Sequence, residues 1–283
     1  MTKAAPAPAV APKEEKSAQT LPEKIENQKQ IAISDDADDE TLFGGAGPTG
    51  VENVKPDDLI IPRLTIIQGL SPQVTQGKPE FDPRARTGMI WDVGLQEGFP
   101  DGIEFLPVYY VKNWLEWAPR SSGKGLVAIH SDDTPMSQAR KNELGQFVLP
   151  SGNFIAETAQ LFGYNMTANH RRSFIPMAAT QLSKAKRLLT LHNGEKLNRA
   201  DGSEYTPKLW YRVYKLTTVP EGNTKGNWSG WKIERGMKLT EVPGWKEIYK
   251  DIPIFFESVR KGALRGDLAE EAGNAAKDDE IPF

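Results

Sequence analysis

The most regular feature of the sequence is a series of short apolar segments separated by turns rich in Gly and Pro. The longest segment, residues 103–117, is apolar on both alternating faces and predicts a strand that is buried on both sides or bent around a barrel. The absence of strand–helix alternation argues against a parallel α/β enzyme fold. Further β-branched and aromatic segments predict strands at residues 59–68, 88–93, 154–166, 172–177, 209–219 and 228–235.

Two helices are predicted among these strands. Apolar residues at helical spacing predict the first helix at residues 180–192, and Asn193-Gly194 provides its stop signal. Pro253 suits the first turn of a helix, and it predicts the second helix from residue 253 to about residue 265. The apolar stripe of the first helix comprises Leu182, Ala185, Leu188 and Leu189, and the core-facing residues of the second are Ile254, Phe255 and Val259.

Composition changes sharply at both ends of the chain. Residues 1–57 contain Ala-Pro alternation, an acidic block at Asp35–Glu40 and a Gly-rich stretch, which together predict a disordered acidic leader. Residues 58–266 carry the predicted strands and helices and form the expected folded domain. Residues 267–283 are predicted to be a disordered acidic tail. The fold class expected from the pattern is therefore mainly β with a few helices and disordered N- and C-terminal tails.

Charge divides the chain more strongly than its net value of −3 suggests. Residues 160–266 hold 19 basic and 9 acidic residues, a net charge of +10, whereas residues 267–283 carry −5. The basic segment also contains 13 of the 25 aromatic residues. Cations that neutralise phosphates and rings on which bases stack are the two components of single-strand binding.

One part of the basic segment has rings and a cation at strand spacing. In residues 209–215, alternation along a strand places Trp210, Arg212 and Tyr214 on one face. This predicts a strip on which bases stack, and the alternative is that Trp210 and Tyr214 belong to the core. On the following strand, Trp228 and Lys232 share a face opposite Trp231 and Ile233. The remaining candidates for phosphate contacts are Arg171, Arg172, Lys184, Lys186 and Arg187.

The chain ends on three acids followed by a small apolar plug: Asp278, Asp279, Glu280, Ile281, Pro282 and Phe283. This order closely resembles the C-terminal tip of bacterial single-stranded-DNA-binding proteins. That tip recruits replication and repair proteins and competes with DNA for the binding face. The resemblance implies that these six residues bind partner proteins, and it implies an OB-like Greek-key β-barrel core with insertions. It also implies a phage or bacterial replication system, and hence the cytoplasm of the cell or of the host.

The sequence thus predicts a protein that coats single-stranded DNA during replication, recombination or repair and recruits partners through its tip. One alternative is a recombination protein that anneals complementary strands. Another is a magnesium-dependent nucleic-acid enzyme built on scattered carboxylates. A third is an adaptor that binds only proteins. The predicted function and its three alternatives are all compatible with an oligomer.

Catalysis has little support in the residue types. The chain has no Cys, which removes disulfides, thiolate metal sites and Cys nucleophiles and fits a reducing compartment. Its three histidines show no metal-ligand spacing, and Ser121–Gly125 lacks the spacing of a phosphate-binding loop. No stretch of about 18 apolar residues predicts a membrane span. We therefore expect neither an enzyme nor a cofactor.

Overall fold

The computed structural model describes residues 50, 52–53, 60–143, 145–224 and 226–262. All the elements below belong to one unit of the chain, Asn53–Phe283. The predicted tail at residues 267–283 lies outside the described residues, as does the predicted leader except for positions 50, 52 and 53.

The described part of the chain is mainly β with three α-helices, which confirms the coarse fold class. The strands are β1 (Leu64–Ile66), β2 (Ile90–Asp92), β3 (Glu97–Phe99), β4 (Ile103–Trp117), β5 (Leu126–His130), β6 (Arg140–Lys141), β7 (Phe147–Val148), β8 (Phe154–Asn165), β9 (Arg171–Ala178), β10 (Leu197–Asn198), β11 (Glu204–Tyr205), β12 (Arg212–Asn223) and β13 (Gly226–Lys238). The helices are α1 (Thr134–Gln138), α2 (Leu182–Asn193) and α3 (Trp245–Arg260). Single 3-10 turns lie at Pro72–Val74, Arg120–Ser122, Ala179–Gln181, Leu209–Tyr211 and Leu239–Glu241.

The largest sheet is antiparallel and is organised around the long pair β4–β8. At one end of this pair, β12 flanks β4 and β9 flanks β8, which gives the strand order β13-β12-β4-β8-β9. At the other end, β5 flanks β4 and β7 flanks β8, which gives the order β5-β4-β8-β7-β6. Two five-stranded arrays therefore share one central pair. A register shift between Pro107 and Tyr109 marks the bend of β4.

A small sheet connects the two outer strands of the first array. It has the order β1-β2-β3, and Arg63, immediately before β1, forms a parallel bridge with Phe174 of β9. On the other side, the Gln68 side chain donates to the Ser229 carbonyl at 3.0 Å and accepts from the Ser229 amide at 2.9 Å. Because Ser229 lies in β13, the β1 segment links β9 to β13 and curls the array.

The inner core lies on one face of the curled array and is covered at one end by α2. Its members include Ile103 and Phe105 of β4, Leu161 of β8 and Ile175 of β9, each at most 2% exposed. The predicted helical stripe is confirmed, since Ala185 and Leu188 are fully buried and Leu182 and Leu189 pack against them. Trp231 and Ile233 of β13 also point inward, as predicted.

The outer core lies on the opposite face of the same strands and is covered by α3. Leu106, Phe162 and Phe174 of the sheet meet Ile252 and Phe255 of the helix. Since apolar residues alternate between the two faces of β4, both faces are buried over this part of the strand, as its pattern predicted.

The predicted start of the last helix at Pro253 is wrong. α3 begins at Trp245, after Gly244 with φ of 70°, and Pro253 lies within it. Ile254 is 63% exposed instead of core-facing, whereas Phe255 and Val259 are buried as predicted. Proline removes one backbone hydrogen bond from a helix, and here the buried stripe Ile248, Ile252, Phe255 and Val259 holds the helix across that gap.

Candidate nucleic-acid interface

The predicted strip of Trp210, Arg212 and Tyr214 does not form. Residues Leu209–Tyr211 make a 3-10 turn, so the strand alternation begins only at Arg212. Tyr214 is 1% exposed and belongs to the inner core. Burial raises the pKa of the Tyr214 hydroxyl to about 12. The core alternative is therefore correct for Tyr214, which offers no ring surface to a ligand.

Arg212 and Trp210 are each engaged by neighbouring residues. Arg212 donates to the Glu195 carboxylate at 2.5 and 3.1 Å and to the Gly236 carbonyl at 2.7 Å. The hydrogen bonds from Arg212 to the carboxylate hold the pKa of Glu195 below its usual range. Trp210 is half-buried, and its ring packs edge-on against Phe256 at a centroid distance of 5.8 Å. Arg212 thus stabilises the fold, and Trp210 keeps only part of its ring for a ligand.

Arg171 and Arg172 both have carboxylate partners. Arg171 donates to Glu97 at 2.7 Å and lies 3.6 Å from the fully buried carboxylate of Asp92, whose pKa is raised by burial. Arg172 donates to Asp251 of α3 at 2.5 and 3.1 Å. The two guanidinium groups are used to join elements of the fold, a role that competes with the predicted phosphate contact.

Asp251 connects α3 to the sheet at more than one point. The Tyr164 hydroxyl of β8 donates to the Asp251 carboxylate at 2.7 Å. Burial raises the pKa of that hydroxyl, and the hydrogen bond to Asp251 raises it too. Arg172 lies 5.1 Å from the centroid of the Phe255 ring, next to the same carboxylate. The contact thus combines an ion pair, a hydrogen bond and a ring–cation pair, and it fixes α3 over β8 and β9.

Lys184 and Trp228 meet at one carboxylate. Lys184 of α2 forms an ion pair with Glu221 of β12, and the Trp228 indole N–H donates to Glu221 at 3.0 Å. Lys232 is exposed and pairs with Glu234 at 3.0 Å. Trp228 and Lys232, which were predicted to share a face, therefore each have an acidic neighbour. Whether they contact DNA stays a prediction.

Lys186 and Arg187 differ from the other predicted cations. Both are exposed on α2, and neither has an ion pair with another described residue. α2 ends at Asn193, and the hairpin β10–β11 follows after three residues. Lys186 and Arg187 therefore lie shortly before the exposed cations of the β10–β11 hairpin region in the sequence.

We call residues Lys196–Arg212 the basic-aromatic segment; it contains the β10–β11 hairpin and the 3-10 turn at Leu209–Tyr211. Three of the five ring–cation pairs in the described structure lie within it. They are Arg199 over Tyr205 at 4.8 Å, Lys208 over Trp210 at 5.8 Å and Arg212 over Tyr211 at 5.8 Å.

Exposure and charge within this segment suit a ligand that has phosphates and flat rings. Lys196, Arg199 and Lys208 are exposed and form no ion pair among the described residues. Tyr205 is half-buried and belongs to neither core. The sequence pattern led to Trp210 and Arg212. It did not lead to three residues of the same segment: Arg199, Tyr205 and Lys208. The alternation of rings and cations that indicates them continues upstream of Leu209.

An open groove of about 430 Å³ lies beside the β12–β13 hairpin. Arg86 is exposed at this groove and has no ion pair with another described residue. Thr218 donates to the Gly88 carbonyl at 2.6 Å and so holds the two sides of the groove together. The groove is lined by Arg86, Thr87, Gly88, Met89, Pro100, Thr218, Val219, Pro220 and Ser229.

Two further features are absent from the described residues. These residues contain no group of three or more His, Asp or Glu side chains that could hold a metal ion. No helix among them is long and apolar enough to cross a membrane.

The molecule is thus defined as a mainly antiparallel β protein with a basic-aromatic segment. A family described as Pam3 phage gp34-like protein matches residues 27–265, and the chain belongs to that family. The match covers the whole of β1–β13 and α1–α3. No curated protein and no solved structure shows significant similarity to the chain.

Proposed function

We propose that this chain is a single-stranded-DNA-binding protein that coats unpaired strands during phage DNA replication, recombination or repair. The observation that carries the proposal is the grouping within residues 196–212 of two ring–cation pairs, Arg199–Tyr205 and Lys208–Trp210, whose cations have no carboxylate partner among the described residues. Unpaired bases stack on exposed rings, and neighbouring cations neutralise the phosphates that follow each base. A protein that recognises flat bases and phosphates in this way has little sequence preference.

The strand order supports a barrel of the OB type as the scaffold. Strands β4, β8 and β9 form an antiparallel meander, and β12 returns after α2 to lie beside β4. The resulting order, β12-β4-β8-β9, is that of a Greek key. β13 adds a fifth strand, and the β1 segment links it to β9. Five strands in a partly open Greek-key barrel are the OB arrangement.

The position of α3 affects where the nucleic acid binds. OB barrels commonly bind oligonucleotides on the face of their second and third strands, which correspond to β8 and β9 here. That face is the outer core, where Phe162, Tyr164 and Phe174 are at most 3% exposed beneath α3. The basic-aromatic segment remains accessible, and the proposed interface therefore lies there.

The decisive experiment is a titration of labelled oligonucleotides over a range of salt concentrations. We expect binding to single-stranded DNA to exceed binding to duplex DNA. The logarithm of the affinity should fall linearly with the logarithm of the salt concentration, by about 0.7 per phosphate contact. Failure to bind an oligonucleotide at low salt would overturn the proposal and favour an adaptor that binds only proteins.

Two further assays separate the remaining alternatives. Accelerated annealing of complementary strands would identify a recombination protein instead of a protein that only coats DNA. Turnover of a nucleic acid that is abolished by a chelator would identify a magnesium-dependent enzyme. Under our proposal, the protein protects single strands without either activity.

We further propose that residues 278–283, which lie outside the described residues, bind replication and repair proteins. The acidic side chains suit a basic patch, and the Phe283 ring suits an apolar pocket. A chain that ends after Gly266 lacks a segment of charge −5 and should bind DNA more tightly at low salt. Phe283→Ala should lose the protein partners in pull-down and keep its DNA affinity. Weaker DNA binding by the truncated chain would contradict competition between tail and DNA.

A further inference from the structure

The groove beside the β12–β13 hairpin brings together a free cation, two free hydroxyl groups and apolar surface. Of the nine residues that line it, Arg86 alone is charged, and its exposed guanidinium has no carboxylate partner among the described residues. The Thr87 and Ser229 hydroxyls form no hydrogen bond with another residue in that part of the chain. Met89 and Val219 add apolar side chains to the lining. Such a groove suits a nucleotide, because the cation neutralises a phosphate and the apolar surface lies against a base.

Contacts along β13 place this groove and the basic-aromatic segment at opposite ends of α2. Ser229 of β13 lines the groove, and two residues further on the Trp231 amide donates to the Gln181 side chain at 2.9 Å, immediately before α2. Near the other end of α2, Arg235 of β13 donates to the Leu191 carbonyl at 2.6 Å. The helix then leads within three residues into the basic-aromatic segment. The groove therefore lies near the start of α2 and the segment near its end.

The distance between these two ends is one that a short stretch of unpaired strand covers. Ser229 and Arg235 are six residues apart in β13, which corresponds to about 20 Å at roughly 3.3 Å per residue. A stacked strand advances about 3.4 Å per nucleotide, so about six nucleotides cover this distance. That length lies within the roughly 4–16 nucleotides that one OB fold binds. Lys186 and Arg187, the exposed cations of α2, lie in the helix between the two ends.

We propose that the groove is a second contact site for the same DNA strand, in which Arg86 binds a phosphate about six nucleotides from the base on Tyr205. The strand then runs from the basic-aromatic segment past the cations of α2 to the groove. This inference rests on the proposed function, since its ligand is the single-stranded DNA proposed there. It adds a length requirement, because a shorter oligonucleotide reaches only one of the two contacts.

Arg84→Ala is the matched control for Arg86→Ala. The two residues lie on the same loop, but Arg84 is paired with Asp82 at 2.6 Å. With an oligo(dT) of about 16 nucleotides, Arg86→Ala should bind about tenfold more weakly than the wild type, as expected for the loss of one charged hydrogen bond. With an oligo(dT) of about 4 nucleotides, it should bind as the wild type does. Arg84→Ala should match the wild type at both lengths, and both variants should keep its melting temperature because both side chains are exposed.

The two oligonucleotide lengths separate a failure of the second contact from a failure of the proposed function. A wild type that binds neither oligonucleotide would contradict the proposed function itself. A wild type that binds both, with Arg86→Ala equal to it at the longer length, would overturn only the second contact. Equal weakening of Arg86→Ala at both lengths would also overturn it, because Arg86 would then contact the same nucleotides as Tyr205. Equal losses in Arg84→Ala and Arg86→Ala would contradict a specific role of the free cation.

Discussion

Arg172 and Arg199 lie over aromatic rings at nearly the same distance but in opposite settings. Arg172 lies 5.1 Å from the centroid of Phe255, and Arg199 lies 4.8 Å from that of Tyr205. Phe255 is fully buried, and Arg172 also pairs with Asp251. Tyr205 is half-buried on a small hairpin, and Arg199 has no carboxylate partner among the described residues.

The contrast shows that a ring–cation pair does not reveal its role by its own geometry. The Arg172–Phe255 pair lies between α3 and the sheet, so its loss leaves a cavity and an unpaired acid. The Arg199–Tyr205 pair lies outside both cores, so it can rearrange around a ligand without loss of packing. The surrounding residues decide whether such a pair stabilises the fold or remains available for binding.

The largest effect is expected from Phe255→Ala. Removing a fully buried Phe should lower the free energy of unfolding by about 3–5 kcal/mol, measured by chemical denaturation. The variant that remains folded should bind oligonucleotides with unchanged affinity. A specific loss of DNA affinity in the folded variant would instead place the Arg172–Phe255 pair at the interface.

Tyr205→Ala should give the opposite result. We expect it to lose about 1–3 kcal/mol of binding free energy for oligo(dT), as stacked aromatic residues do. Its stability should change by no more than about 0.5 kcal/mol, as is usual for surface substitutions.

Phe147→Ala is the matched control for Tyr205→Ala. Lys141 lies 5.1 Å from the Phe147 ring on the β6–β7 hairpin, so the variant removes a similar pair from residues 56–159, which hold 9 basic and 13 acidic residues. Equal losses of affinity in the two variants would show that the basic surroundings of Tyr205 do not matter.

A smaller effect is expected from the free cations of α2. Lys186→Ala and Arg187→Ala should each reduce the steepness of the salt dependence by about 0.7, the contribution of one phosphate contact to single-strand binding. Lys250→Ala on α3 is the control, since Lys250 is exposed and lies near Glu247 at 3.6 Å. An unchanged salt dependence for both α2 variants would remove α2 from the interface.

The smallest effect concerns pH and the Arg212–Glu195 pair. Arg212 holds the pKa of Glu195 below its usual value of 4.5. The pair therefore contributes stability that is fully present above pH 4.5 and is lost as the pH falls through the lower, folded-state value. Glu195→Gln should reduce this part of the acid destabilisation, measured by denaturation at several pH values. If the wild type and Glu195→Gln lost stability with pH in the same way, this contribution of the pair would be contradicted.

The local elements were predictable because their apolar periodicity is regular. The strand Ile103–Trp117 and the stripe of α2 appear in the structure as their spacing indicated. The stop signal Asn193-Gly194 predicted the end of α2 at His192, one residue before its observed end at Asn193. These features depend on neighbours within a few residues, which the sequence displays directly.

The roles of individual charged and aromatic residues were not predictable in the same way. Arg172 is paired with Asp251, 79 residues further along the chain, and no local pattern indicates that partner. Trp210 lies in a 3-10 turn and Tyr214 in the strand that follows, and strand alternation does not reveal this turn. Tyr205 could have been selected from the charge pattern, but the strip at residues 209–215 gave a more regular signal.

The shared pair β4–β8 also has a consequence for the order of folding. Its partners are distant in sequence, from Trp117 with Phe154 to Phe105 with Asn165, whereas β12 and β13 are joined by a tight turn. Closing a long loop costs more entropy than closing a short one, so we expect the β12–β13 hairpin to form before the central pair. We expect the central pair to grow from its Trp117–Phe154 end, where the intervening chain is shortest. Because both five-stranded arrays contain β4 and β8, formation of this pair is expected to limit the completion of both.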